Sequence, residues 1–213
     1  MGPRAGQALQ DLELIERAVA GLNPPVKAFE GLIRQTPFTV LVGVLLSART
    51  RDETTLEACR RLFARADTPE AMASCSVEEL AGLIRPVGFF HQKARHLKVL
   101  AETLAQEGGV VPQEEEELRR LPGVGPKTAR LVRALAFGVP ALAVDIHVFR
   151  ISQRLGWVRG STPAEVARAL ERIVPRAGWN RVNQTLVGLV QTLCRPRGPL
   201  CGRSPLQADC RHP

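Results

Sequence analysis

Apolar residues in this chain recur at helical spacing almost from end to end. Leu12, Ile15, Val19 and Leu22 fall at i, i+3, i+7 and i+10. Val40, Leu41, Val44, Leu45 and Ala48 fall at i, i+1, i+4, i+5 and i+8, and Leu131, Val132, Leu135 and Ala136 repeat the stripe. Such a pattern buries one face of a helix and cannot bury one face of a strand, where side chains alternate. No run of strand alternation and no Asn-Gly hairpin turn breaks it. The expected fold is all-α, with about ten short helices joined by Gly/Pro turns. Starts are signalled by Ser76 with Glu79, by Thr162-Pro163 with Glu165, and more weakly by Thr68-Pro69. Pro24-Pro25, Gly108-Gly109 and Pro112 interrupt the pattern. The acidic stretch Glu114–Glu117 reads as a solvated first helical turn, favoured by the helix dipole.

With 213 residues the chain can bury one large core or two small ones. No apolar run is long enough to span a bilayer, and the first residues lack the apolar stretch of a secretion signal, so a cytoplasmic protein is expected. The net charge is +8 and unevenly placed. From His147 onward there are eleven arginines, no lysine and three carboxylates, while residues 1–146 are neutral. A neutral module beside an arginine-rich one fits a polyanionic partner, nucleic acid first, or else a solubilising surface. Five cysteines are an odd number for a disulfide framework, and Cys194, Cys201 and Cys210 crowd into the last twenty residues. That clustering points to a metal.

The segment Leu121-Pro122-Gly123-Val124-Gly125-Pro126-Lys127-Thr128-Ala129 lies between two helical patterns. Gly123 and Gly125 allow a tight turn with close backbone approach, and Pro126 suits the first turn of the next helix. The resulting hairpin offers backbone N–H groups and a helix N-terminus to a phosphate. Such contacts hold DNA without reading bases.

This segment resembles the helix-hairpin-helix motif of the endonuclease III family. The resemblance continues through Ala136-Phe137-Gly138 and Val144-Asp145-Ile146-His147-Val148-Phe149-Arg150. It extends upstream to Val44–Ala48 and to the block from Gly88 to Ala94. It implies two helical domains flanking a DNA cleft. Residues 35–137 would form a helical barrel ending in the hairpin; residues 1–34 and 138–213 would form the other, discontinuous domain. The implied partner is damaged double-stranded DNA, bound by a monomer in the cytoplasm at the nucleoid, with no membrane involved. The implied activity is that of a base-excision DNA glycosylase with abasic-site lyase chemistry, directed at oxidised pyrimidines. A relative with altered lesion preference and a non-catalytic DNA-binding relative are the alternatives.

By the same resemblance Lys127 is the nucleophile and Asp145 its acidic partner. A lysine attacking C1′ of deoxyribose must be neutral, and a free lysine titrates near ~10.4, so a shift of about three units is needed. The first turn of a helix, plus burial in a cleft, pushes in that direction. Lys127 alone could instead be a phosphate contact, and Asp145 could cap the helix that follows it. Leu121, Gly123, Val124 and Gly125 of the hairpin are implied DNA contacts. His147 is implied as a structural or phosphate-contacting residue. The void left by a displaced base is implied to be filled by Arg49 and Phe89. Arg49 departs from the glutamine usual in the family. The C-terminus reads Cys194-x6-Cys201-x2-Ser204-x5-Cys210, which matches the spacing of the family's iron–sulfur loop except that Ser204 replaces its third cysteine. A [4Fe–4S] cluster is the expected cofactor, its fourth ligand being Ser204, Asp209, His212 or water; a three-iron cluster, or a loop that has lost its cluster, is the alternative.

Overall fold

The structure, a computed structural model, describes residues 6–33 and 36–212. Among them are twelve α-helices, two short 3-10 turns and no strand, so the chain is all-α as its periodicity requires. In chain order α1 spans Gln7–Ala20, α2 Pro25–Ile33, α3 Pro37–Ser47, α4 Asp52–Arg65, α5 Pro69–Ser74 and α6 Val77–Ile84. They are followed by α7 Phe90–Gln106, α8 Glu115–Leu118, α9 Pro126–Phe137, α10 Ile146–Arg154, α11 Pro163–Ile173 and α12 Trp179–Thr192. The signalled helix starts carry their caps. Thr68 Oγ1 accepts from Ala71 N at 3.2 Å, Ser76 Oγ from Glu79 N at 3.0 Å, and Thr162 Oγ1 from Glu165 N at 3.2 Å. Leu22 is the exception in its stripe: α1 ends at Ala20, and Leu22 is exposed beyond it.

The chain divides into two compact units. One runs from Ala28 to Val139; the other joins the chain up to Lys27 with Pro140 onward. The boundary expected at 34/35 lies outside the described residues. The division falls earlier because Phe29 is already buried in the core of the Ala28–Val139 unit. That core is organised by α3, whose residues Phe38 to Leu46 are all buried. A helix covered on every side has no polar face to keep. Around it lie Leu62 of α4, Ile84 of α6, and Leu97 and Leu100 of α7.

In the other unit α1, α10, α11 and α12 close over Leu12, Ile15, Val148, Ile151, Leu170 and Leu186. Two polar ties cross this core. Asp11, almost fully buried, accepts from Trp157 Nε1 at 2.9 Å. Arg181 on α12 donates to Glu16 on α1 at 3.0 and 2.6 Å, and Thr185 Oγ1 adds a third bond at 2.7 Å. Burial opposes the Glu16 charge, but these partners outweigh it and hold the carboxyl below its ordinary range.

Glu114, Glu116 and Glu117 are exposed around the first turn of α8, as expected of a solvated stretch, and Glu115 adds a tie. Glu115 of α8 pairs with Arg130 at 3.4 Å and Arg133 at 3.9 Å, both on α9. Arg133 also donates to the Gln113 carbonyl at 3.1 Å. The stretch therefore clamps the two helices on either side of the glycine hairpin, and sets the direction in which α9 leaves it.

Candidate functional site

In the Ala28–Val139 unit the hairpin is closed by Val124 N donating to the Leu121 carbonyl at 3.1 Å. Leu121 and Val124 are buried in the core. Both are expected among the DNA contacts through the hairpin backbone, and their side chains anchor the turn in the core. Gly123 has φ 79°, and a Cβ there would lie 2.8 Å from His96 Nδ1. A larger residue is excluded twice, by conformation and by space. Gly125 precedes α9, Pro126 opens it, and no side chain caps it. Lys127 is the second residue of α9 and is exposed. The burial expected of it is absent in the protein alone, while its position at the positive end of the helix dipole is as expected.

The same unit brings Arg49 and Phe89 together. Both have left-handed backbones, with φ 55° and φ 59°, a conformation that costs a non-glycine residue about 1–3 kcal/mol. The Arg49 guanidinium carbon sits 5.5 Å from the centroid of the Phe89 ring, within range of a cation–π contact. Phe89 is 59% exposed. Beside the pair is a cavity of about 230 Å³, also lined by Leu45, Lys93, His96 and Gly123.

What holds the two turns together was not apparent from the chain. Lys93 Nζ donates to the carbonyls of Leu46 at 2.8 Å and Ala48 at 2.6 Å, and to Thr50 Oγ1 at 3.3 Å. Thr50 Oγ1 also accepts from Gly88 N at 3.1 Å. A Cβ on Gly88 would lie 2.6 Å from the Arg49 carbonyl oxygen, so only glycine permits this approach. Burial lowers the Lys93 pKa to about 8. The acceptors of Lys93 lie more than forty positions upstream, and no local pattern could reveal them.

In the other unit Asp145 is the N-cap of α10. Its Oδ1 accepts from His147 N at 2.9 Å and from Val148 N at 2.8 Å. The helix-cap role is therefore present, and the carboxylate is held by the turn it caps. Ile146, next to it, is 77% exposed, the most exposed large apolar side chain among the described residues. His147 is half-buried, and its Nδ1 is buried with no hydrogen-bond partner.

The C-terminal loop follows α12. Leu206 is buried, Leu200 N donates to the Leu193 carbonyl at 2.9 Å, and Arg211 N donates to the Arg154 carbonyl at 3.1 Å. Arg154 stands between two of the cysteines: its Nη1 lies 3.7 Å from Cys194 Sγ, and Cys210 Sγ lies 3.7 Å from its carbonyl. Cys201 is exposed, and Ser204 Oγ accepts from Leu206 N at 3.3 Å. Among the described residues no three His, Cys, Asp or Glu side chains are grouped to hold a metal. Three thiols and an engaged hydroxyl do not fit the four-thiolate site of a [4Fe–4S] cluster. The spacing matches the family; the donor set does not.

This fold and hairpin match a known class. Residues 42–176 fit the HhH-GPD superfamily of base excision DNA repair proteins. Endonuclease III of Thermotoga maritima is 43% identical over 187 residues, covering 87% of this chain and 88% of the relative. Endonuclease III of Bacillus subtilis is 37% identical over 182 residues, covering 84% and 83%. A solved structure of a trapped endonuclease III–DNA covalent intermediate superposes with a TM-score of 0.86 at 34% identity, covering 98% of this chain and 96% of that one. The chain belongs to the endonuclease III family of that superfamily. None of its described helices is long and apolar enough to cross a membrane.

Proposed function

We propose that this chain excises oxidised pyrimidines from double-stranded DNA and cleaves the strand at the abasic site it creates. The observation that carries this reading is the placement of Lys127. It stands exposed in the first turn of α9, directly after the hairpin whose backbone suits a phosphate. One element thus grips the strand and presents an amine to it. The trapped covalent protein–DNA intermediate of the structural relative supports a mechanism with a covalent step.

The lysine amine bonds to C1′ as the C1′–N bond breaks. The departing base keeps that electron pair and takes a proton. Loss of the amine proton and opening of the sugar ring, with O4′ protonated, give an imine between Nζ and C1′. Removal of a C2′ proton then expels the 3′ phosphate, and hydrolysis frees the lysine. Asp145 holds a negative charge near the developing positive charge of the sugar and relays a proton. Phe89 and Arg49 fill the space left by the displaced base, and the Arg49 fork suits acceptor atoms of the base left unpaired. The C-terminal loop brings exposed Arg195, Arg197 and Arg203 toward phosphates. The matching spacing supports Cys194, Cys201 and Cys210 as iron ligands only once a fourth donor completes the set.

Borohydride reduction on thymine-glycol duplex and on abasic duplex tests the assignment. Wild type should be trapped on both, and Lys127→Ala on neither, with salt-sensitive DNA binding retained. Trapping of Lys127→Ala refutes the nucleophile. Trapping of wild type on the abasic duplex alone keeps the imine chemistry and moves the base preference, with Arg49 as the cause. No trapping on either duplex leaves a DNA-binding relative.

A further inference from the structure

Lys93 is not needed by the chemistry above, yet its ammonium group is fully engaged. Its three ammonium protons meet three acceptors, two at the end of α3 and one on Thr50. Capping of α3 accounts for the Leu46 and Ala48 carbonyls. It does not account for the third bond. Thr50 Oγ1 is a shared node, accepting from Lys93 and from the backbone N–H of Gly88. Thr50 follows Arg49 and Gly88 precedes Phe89, so the node joins the two left-handed residues from behind. The bare Cα of Gly88 lets the Arg49 carbonyl approach closely enough for that joint to close.

We infer that Lys93 is a positioning residue: by tying Leu46, Ala48 and Thr50 to the Gly88 turn, it sets Arg49 and Phe89 as one preformed wedge. This rests on the reading of that pair as fillers of the vacated base position. Each left-handed residue relaxes to an ordinary backbone unless its surroundings hold it. The wedge has to enter a duplex without first being ordered, and ordering before binding lowers the cost of entry.

The test compares trapping rates on an abasic site in duplex and in single-stranded DNA. Only the duplex has a partner base whose stack must be opened and refilled. Wild type and Phe89→Ala set the scale, with Phe89→Ala expected to lose at least tenfold on duplex and less than twofold on single strand. Lys93→Met should reproduce that split. It should also weaken the fluorescence rise of 2-aminopurine placed opposite the site, which reports the opened stack. Thr50→Val breaks the node while leaving the lysine and its carbonyl partners in place; it should show the same split and carries the test where Lys93→Met is poorly folded by circular dichroism. Equal losses on both substrates, or no loss on duplex, overturn the positioning role. If Phe89→Ala itself shows no split, the wedge reading fails instead. If wild type is trapped on neither DNA, the proposed function fails.

Discussion

Asp145 carries two separable duties in one carboxylate, and substitution can divide them. As N-cap it accepts two backbone N–H groups through Oδ1. Asparagine keeps an oxygen in that place and loses the charge; alanine loses both. Loss of a negative charge at a helix N-terminus costs about 0.3–1 kcal/mol, and loss of the capping acceptor typically costs a further ~1 kcal/mol. Asp145→Ala should therefore be less stable than Asp145→Asn by about 1 kcal/mol, a gap of roughly 2–4 °C in thermal midpoint for a chain of this size. Catalysis should not follow that order. If the charge steadies the sugar cation and moves a proton, both variants lose about 10²–10⁴-fold in single-turnover excision, and Asp145→Asn gains nothing from keeping the cap. Thermal melts and single-turnover excision on thymine-glycol duplex measure the two quantities independently. A stable and fully active Asp145→Asn would reduce Asp145 to a helix cap. An Asp145→Asn as unstable as Asp145→Ala would refute the capping geometry on which the separation depends.

Two further outcomes follow from the other site residues. Lys93 titrates near 8 when folded against an ordinary 10.5, so this side chain binds fewer protons in the folded chain between those values and its own contribution to stability rises with pH across that window. After allowance for solvent screening of a half-exposed side chain, the rise is on the order of 1 kcal/mol. Between pH 7.5 and pH 10, urea unfolding should show wild type gaining this increment relative to Lys93→Met, since the buried Cys59 thiol, whose pKa burial pushes up to about 12, opposes it equally in both; an equal change with pH in the two proteins would refute the buried charge. Ser204→Cys completes the thiol set at the family's spacing, and iron per chain after anaerobic reconstitution should at least double. Unchanged iron would remove position 204 from any metal site.

The helices were legible because their information is local. The threonine and serine caps at 68, 76 and 162 and the aspartate at 145 lie within three residues of the groups they bind. The hairpin glycines were legible for the same reason. The first turn around Glu115 was legible, but its ion pairs were not, because Arg130 and Arg133 stand fifteen and eighteen residues on and helix-turn arithmetic sees only the dipole. Leu121 and Val124 lie in a motif associated with DNA, but composition cannot say whether an apolar side chain in a turn faces the ligand or the core. The left-handed backbones at Arg49 and Phe89 had no signature, since single residues with that conformation are expected at Gly or Asn. The cysteine spacing was legible as spacing, and it did not determine where Arg154 would place itself between two of the thiols.

Arg49 and Phe89 share a physical property: they are where the chain is less comfortable than it needs to be to fold. Six of its seven phenylalanines are buried or half-buried, and Phe89 alone is 59% exposed. It is also the one set in a left-handed turn, beside a second left-handed residue that places a guanidinium over its ring. An exposed phenylalanine forgoes about 2 kcal/mol of burial, and the backbone adds its own strain. Neither cost improves the core, which α3 and its neighbours complete without it. Lys93, Thr50 and Gly88 hold the arrangement in place instead of letting it relax. A structure that spends stability to keep an apolar ring and a cation presented together is prepared for a partner with a stackable apolar face and nearby negative charge. A DNA base stack flanked by phosphates has both.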